Sequence, residues 1–238
     1  ESLLSKNFKK EDFDKEKGQT NGTLAHAIER TIGLYPLKNG YSLKTVYFSN
    51  RFLQSANNTA IQKIEQNQSI LFIAHDLAMA GAEMVLYSIM KWFKQHRSCR
   101  IQLLALSDGY DGGMIKDKFL EIADVHYWRE INSLFEDKEI KDAKDSFFNV
   151  FGDVDLIYGN TIVSAQIYKI LSVLKIPFVT HIHELEETIQ KYIKEDVVGQ
   201  MKEFTSKFIA CSKQVKDNLY VNHNIPLKSL VQVNAFID

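Results

Sequence analysis

The stretch 69–97, SILFIAHDLAMAGAEMVLYSIMKWFKQHR, constrains the fold more than any other part of the chain. It opens on Ile70, Leu71, Phe72, Ile73 and Ala74, an apolar run without alternation, which suits a strand buried on both faces as in a parallel sheet. A loop from His75 to Ala80 follows. Gly81 then starts a helical pattern with Glu83 in its first turn, where a carboxylate meets the positive end of the helix dipole. Ala82, Val85, Leu86, Ile89, Met90 and Phe93 recur at three- and four-residue steps and predict a buried stripe. Lys94, His96 and Arg97 place cations at the other end. A strand, a loop and a helix opening on glycine put this junction at the carboxyl edge of an open α/β sheet, where ligands bind. Bare helix N–H groups at such an edge favour phosphate. For Gly81 the residues leave two readings, ligand contact or a plain helix start.

The same rhythm recurs downstream. Strands are expected at 101–106 (IQLLAL), 124–128, 154–158 (VDLIY), 177–181 (PFVTH), 207–210 (KFIA) and 229–233 (SLVQV). Between them fall helical patterns at 114–122, 129–148, 162–174, 185–194, 197–205 and 212–221, the second with Ile131, Leu134, Phe135 and Ile140 inward. Strands alternating with helices imply a parallel sheet with right-handed crossovers and helices on both faces. Such a sheet predicts that strands 70–74, 154–158 and 177–181 lie side by side or nearly so.

Residues 1–66 read differently, as an N-terminal arm, helical in part, ahead of a domain spanning 67–238. Its first 17 residues, ESLLSKNFKKEDFDKEK, alternate in charge and suit either a solvated helix face or disorder. Tyr35, Tyr41, Tyr47, Phe48 and Phe52, punctuated by Pro36 and Gly40, suggest a connecting arm that packs through aromatics. A short helix with Ile61 and Ile64 inward is expected at 59–66. The chain opens on Glu1 rather than Met, so it is expected to continue a longer protein.

Composition narrows the function. A net charge of −1 gives no bulk attraction to nucleic acid. Cys99 and Cys211 lie far apart without metal-ligand spacing and read as thiols of a reducing cytoplasm. No apolar run approaches the ~20 residues of a membrane span.

The residues that could carry chemistry gather at strand ends. His181 and His183 stand two apart at the end of the fifth strand and so point the same way. They could take a polar ligand or a metal, but a third ligand at helical spacing is missing. Either ring could face the cleft, and a neutral imidazole there could hydrogen-bond a sugar hydroxyl. His75, Ser107, Asp108, Asn160 and Ser212 each follow a strand and predict a shared rim; singly, each also reads as a cap or turn residue. Asp153 and Asp155 resemble a metal-binding Asp-x-Asp, but they enter a strand from its amino end, away from the cleft. The three-glycine dinucleotide fingerprint, the P-loop and the Gly-x-Ser-x-Gly elbow are all missing from this sequence.

Three stretches in order resemble the amino-terminal half of GT-B glycosyltransferases of the retaining family 4, or "group 1", type. They are Gly81-Ala82-Glu83 after the first strand, with Ala80 where the family usually has glycine; PFVTHIHE at 177–184; and FIACSKQVKDNL at 208–219, followed by Asn224-Ile225-Pro226 and VQVNAFID at 231–238. The resemblance covers roughly 69–238. It implies a Rossmann-like acceptor-side domain that faces a carboxyl-terminal donor domain across a cleft, with 235–238 as the linker where this chain stops. The resemblance further implies transfer from a nucleotide sugar, with retention, to a glycan, lipid-linked or protein-bound acceptor, as in bacterial cell envelope polysaccharide biosynthesis. No metal or other cofactor is expected. Gly81 with Ala80 would approach the donor diphosphate, and His183 with Glu184 would stand at the family's catalytic His-Asp/Glu. His75, Asn160, His181 and Ser212 would line the acceptor side of the cleft. Cytoplasmic placement, with peripheral association at the inner face of the membrane, is the matching expectation. On this reading the missing domain leaves the fragment inactive alone and holding a nucleotide sugar only in the millimolar range, where 1 mM is about −4 kcal/mol. The alternative is a catalytically silent GT-B-like partner or sugar-binding scaffold.

Overall fold

The computed structural model describes residues 68–109, 111–135 and 140–234. The expectations for the 1–66 arm, for the linker at 235–238 and for the Ile140 side chain lie outside the described residues.

The apolar runs form seven strands: β1 (Ser69–Ala74), β2 (Arg100–Ala105), β3 (Asp124–Tyr127), β4 (Leu156–Asn160), β5 (Phe178–Ile182), β6 (Thr205–Ala210) and β7 (Leu230–Gln232). They make one sheet in the order β3-β2-β1-β4-β5-β6-β7, and every pairing is parallel. β1, β4 and β5 are neighbours, as the alternation predicts; Ile70 pairs with Leu156 and Ile157 with Phe178. The fold is Rossmann-like α/β.

Helices cover both faces. On one lie α1 (Gly81–His96) and α2 (Lys116–Leu120), whose Leu86, Met90 and Phe119 bury against Phe72, Leu103 and Tyr158. After the short α3 (Trp128–Ile131), the second face carries α4 (Ile140–Phe151), α5 (Tyr168–Leu171), α6 (Glu186–Tyr192), α7 (Glu195–Phe204) and α8 (Lys213–Val221). Phe147, Phe151, Tyr168, Met201 and Leu219 pack there on Leu71, Ile73 and Ile157. Each such aliphatic or aromatic chain contributes about 1.5–3 kcal/mol on full burial. Both faces of β1 are thus dry, which is why its sequence does not alternate.

Three local differences from the sequence reading have physical causes. β4 runs from Leu156 to Asn160, two residues later than expected. Asp155 stands just outside the strand: its N–H donates to the Ser69 carbonyl, and its Oδ2, in place of a backbone carbonyl, accepts the Ser69 N–H at 2.8 Å. This fixes Asp155 as a structural tie at the amino edge of the sheet. At the other end of β4, Gly159 and Asn160 are strand residues paired with β1 and β5. Second, 162–174 is a broken helix: a 3₁₀ stretch (Ile162–Ile167), α5, then a 3₁₀ turn (Ser172–Leu174). The Ser164 hydroxyl reaches back to the carbonyls of Asn160 and Ile73, and such back-bonding bends helices. Third, the buried stripe of α1 includes Glu83, whereas Ala82, Ile89 and Phe93 are only partly buried.

Gly159 shows why a strand carries glycine here. A Cβ on it would lie 1.8 Å from the Tyr168 hydroxyl and 2.9 Å from Cζ of the same ring. That hydroxyl is in turn held by Thr180 Oγ1 at 2.9 Å. The close approach of α5 to β4 therefore requires the missing side chain. At Gly81 a Cβ would meet nothing within 4 Å. In urea unfolding, Gly159→Ala is expected to lose about 1–3 kcal/mol through overpacking, while Gly81→Ala stays within about 1 kcal/mol of wild type or gains from helix propensity. Equal effects at the two positions would contradict this packing.

Candidate functional site

The strand order reverses between β1 and β4, and in open α/β sheets this switch point opens a crevice at the carboxyl ends of the strands. Four segments meet there: His75-Asp76 leaving β1, the start of α1, Asn160-Thr161 at the end of β4, and His183-Glu184 after β5.

Asn160 organises the crevice. It is fully buried, and its Nδ2 donates to the Ala82 carbonyl at 3.1 Å, which leaves Oδ1 to face His183 Nε2 at 3.1 Å. Since an amide oxygen only accepts, His183 must carry its proton on Nε2. Burial, with the positive His75 nearby, lowers the His183 pKa to about 4, so the ring is neutral at physiological pH. Its Nδ1 then keeps a lone pair with which to accept from a ligand hydroxyl. Glu184 braces the same turn: Oε1 accepts the Ile162 N–H at 3.1 Å and Oε2 the His183 N–H at 3.0 Å. Burial raises its pKa against these bonds. Both of its oxygens are committed to backbone.

His181 is a correction to the rim expected from sequence. It is only 2% exposed, because it belongs to β5, one residue before its end, rather than to the turn after it. Its Nδ1 meets the Tyr158 hydroxyl at 2.9 Å, and burial lowers its pKa to about 3. The two histidine rings pack with centroids 4.1 Å apart. Of the pair, His183 is the partly exposed one.

Across the crevice His75 stands between two carboxylates. Its Nδ1 lies 3.0 Å from Glu83 Oε1 and its Nε2 3.3 Å from Asp76 Oδ2. Burial resists charging the ring, but hydrogen bonds and attraction from Asp76 and Glu83 outweigh it and push the pKa up to about 10. Asp76 also accepts the Ala78 N–H at 2.9 Å, and its own pKa is lowered by the imidazolium against burial.

α1 opens without a side-chain cap: Ala80 is extended at φ −118°, ψ 168° and contributes only its carbonyl, to the Met84 N–H at 3.0 Å. Gly81 is exposed at this end, with open space where a side chain would stand. Thr161 closes the floor at φ 72°, ψ 160°, a conformation that costs a β-branched residue about 1–3 kcal/mol. The strain is held by its N–H bond to the His181 carbonyl at 2.8 Å and an Oγ1 contact with His75 Nδ1 at 3.4 Å.

Ser212 lies at the end of β6 and caps α8, its Oγ accepting the Val215 N–H at 3.2 Å, which is the plainer of its two sequence readings. Ser107 accepts the Gly109 N–H, and Asp108 pairs with Arg129, at the mouth of β2 and β3. The structure thus brings together His75, Ala80, Gly81, Asn160, His183 and Glu184. Asp76, Glu83 and Thr161 are the members sequence reasoning missed. Glu83 had a signal: it lies on the helix face of Leu86 and Met90, three and seven residues on.

No protein-family model and no curated protein matches this chain. Solved structures do share its fold. Anabaena HepE, determined in complex with UDP-glucose, is 18% identical over 71% of this chain and 44% of that chain, with a TM-score of 0.53. The lipopolysaccharide outer core galactosyltransferase WaaB in its apo form is 13% identical over 69% of this chain and 44% of that one, at 0.49. The UDP-GlcNAc 2-epimerase of Neisseria meningitidis bound to UDP-GlcNAc is 12% identical over 71% and 46%, at 0.46. The chain spans less than half the length of each of these three. The likeness is one of fold, and that fold is GT-B-like.

The His75 cluster predicts a pH dependence of stability. A histidine whose folded pKa exceeds its unfolded value near 6.5 stabilises fully below that value, and the contribution fades as pH rises toward about 10. Wild type should therefore lose stability from about pH 7 to 10 more steeply than the His75→Gln/Glu83→Gln double variant. His75→Gln alone, which strands a buried carboxylate, should cost up to about 3–5 kcal/mol at neutral pH. Denaturant melts across that range check both, and identical slopes for wild type and double variant would contradict the assignment.

Proposed function

We propose that the chain is the acceptor-side half of a nucleotide-sugar-dependent glycosyltransferase of GT-B type, of the family 4 kind. In this reading it transfers a sugar with retention to a glycan, lipid-linked or protein-bound acceptor. The observation that carries the proposal is the meeting, at the switch point, of an uncapped helix start at Gly81 with a neutral His183 held by Asn160. The first suits a diphosphate, since bare N–H groups and the helix dipole favour anions and Gly81 leaves room for close approach. The second suits a sugar hydroxyl that donates to Nδ1. HepE, of like fold, was determined with UDP-glucose, which agrees with a nucleotide sugar in this crevice.

Within this reading the roles divide. Gly81 and Ala80 face the donor diphosphate. His183 touches the reacting sugar, while Asn160 and Glu184 act through it as positioning residues. His75 sits beside both, and Ser212 lies at the end of β6. A donor-binding second domain completes the site, and the protein works in a bacterial cytoplasm at the inner face of the membrane. The alternative of a catalytically silent sugar-binding scaffold draws on one observation: Asp76 and Glu83 against His75 leave the phosphate side of the crevice negative by one charge.

The test uses the full-length protein with release of nucleoside diphosphate as readout. His183→Ala should lower turnover about 10²–10³-fold, in line with loss of one transition-state hydrogen bond, and leave the melting temperature nearly unchanged. His181→Ala should instead cost stability, because its buried ring packs on Tyr158. Turnover insensitive to His183→Ala would overturn the role, and no turnover by wild type across donors and acceptors would favour the silent scaffold.

A further inference from the structure

Glu83 poses a problem that the nucleotide-sugar reading leaves unsolved. Its side chain is fully buried, and its Oε2 receives no hydrogen bond among the described residues. The His75 imidazole, 3.0 Å from Oε1, is the ion-pair partner on one side only; Oε2 has none among the described residues. A buried carboxylate in this position is strongly unfavourable unless it is paired or coordinates a metal. Asp76 adds a second carboxylate, with Oδ2 3.3 Å from the other ring nitrogen. One ligand atom each from His75, Asp76 and Glu83 falls within 4.8 Å of the others. Whether the ring is neutral or protonated, the cluster keeps net negative charge in a mostly dry place. A divalent ion on a neutral imidazole and two carboxylates brings it to zero.

We propose that His75, Asp76 and Glu83 form a binding site for one divalent cation of the Mn²⁺ type. The donor set selects that class: two carboxylates are hard oxygen ligands suited to Mg²⁺ or Mn²⁺, and one imidazole tilts the preference to Mn²⁺. Residue order supplies the geometry, since His75 and Asp76 leave β1 side by side and Glu83 returns on the first turn of α1. An entry path exists because His75 and Asp76 keep partial exposure while Glu83 forms the floor. The ion gives the orphaned carboxylate a partner and removes the negative excess beside the helix start. This site departs from the metal-free expectation that the family resemblance carries. It does not depend on the nucleotide-sugar reading, because binding is measured with the metal alone.

The experiment is titration of the chelator-stripped full-length protein with MnCl₂, following loss of the free Mn²⁺ electron paramagnetic resonance signal, with thermal melts in parallel. One Mn²⁺ per chain is expected to bind in the micromolar range and raise the melting temperature. Glu83→Gln and Asp76→Asn should each weaken binding at least about tenfold. Glu83→Gln keeps the shape of the side chain, and Asp76 remains against His75, so it should fold; thermal melts of its metal-free form check that it does. Wild type that binds no Mn²⁺ up to 1 mM overturns the proposal. So does Mn²⁺ binding that survives both substitutions, which would place the ion on other groups.

Discussion

The pairing of β1 with β4 is the contact on which the rest of this structure depends. Chain order reverses there, so the loops that leave the two strands diverge and leave a crevice between them. The register sets its contents: Ile73 opposite Gly159 brings His75 level with Asn160 and Thr161. The next pairing, Asn160 opposite His181, then carries His183 to the same rim. Glycine at 159 is what lets α5 close on the far face through Tyr168, and so lets β4 stay flat against β1 and β5. A side chain there would be felt at the crevice two residues away.

Charge and strain are concentrated at this edge. A buried carboxylate, an imidazolium between two acids, a neutral imidazole fixed in one tautomer and a β-branched residue at positive φ all lie within the loops of β1, β4 and β5. A buried carboxylate and a strained backbone are each unfavourable for folding taken singly, and structures keep such groups where ligands are bound or chemistry is done. The neutral state of His183 follows from its neighbours: burial and His75 oppose a second positive charge, and Asn160 accepts the one proton the ring carries. Glu184, which the family resemblance makes the catalytic partner of His183, accepts backbone N–H groups with both oxygens and fixes the turn.

The sheet was legible in the sequence because the dry strands announce themselves. Runs such as LFIA at 71–74 and LLA at 103–105 have no polar residue to turn outward, and the helices between them repeat at three and four. The edge positions were legible too, since His75, Asn160 and His183 follow strands whose ends could be placed within two residues. Distances across the sheet were not legible. Nothing local in GAE at 81–83 distinguishes a carboxylate facing solvent from one turned under the helix toward His75, and only its phase with Leu86 and Met90 hints at burial. His181 and His183 have the same parity, so pattern alone could not separate them; the strand's true end at Ile182 does. Thr161 looked ordinary because backbone strain is imposed by the pairings on either side of it.

The central claim is that the switch-point crevice is the ligand site. A crystal structure of the full-length protein grown with a nucleoside diphosphate tests it most directly. The account predicts diphosphate oxygens within hydrogen-bond distance of the N–H groups at Gly81 and Ala82, with the open side of His183 facing the distal phosphate. A nucleotide bound with its phosphates away from the start of α1 would contradict it.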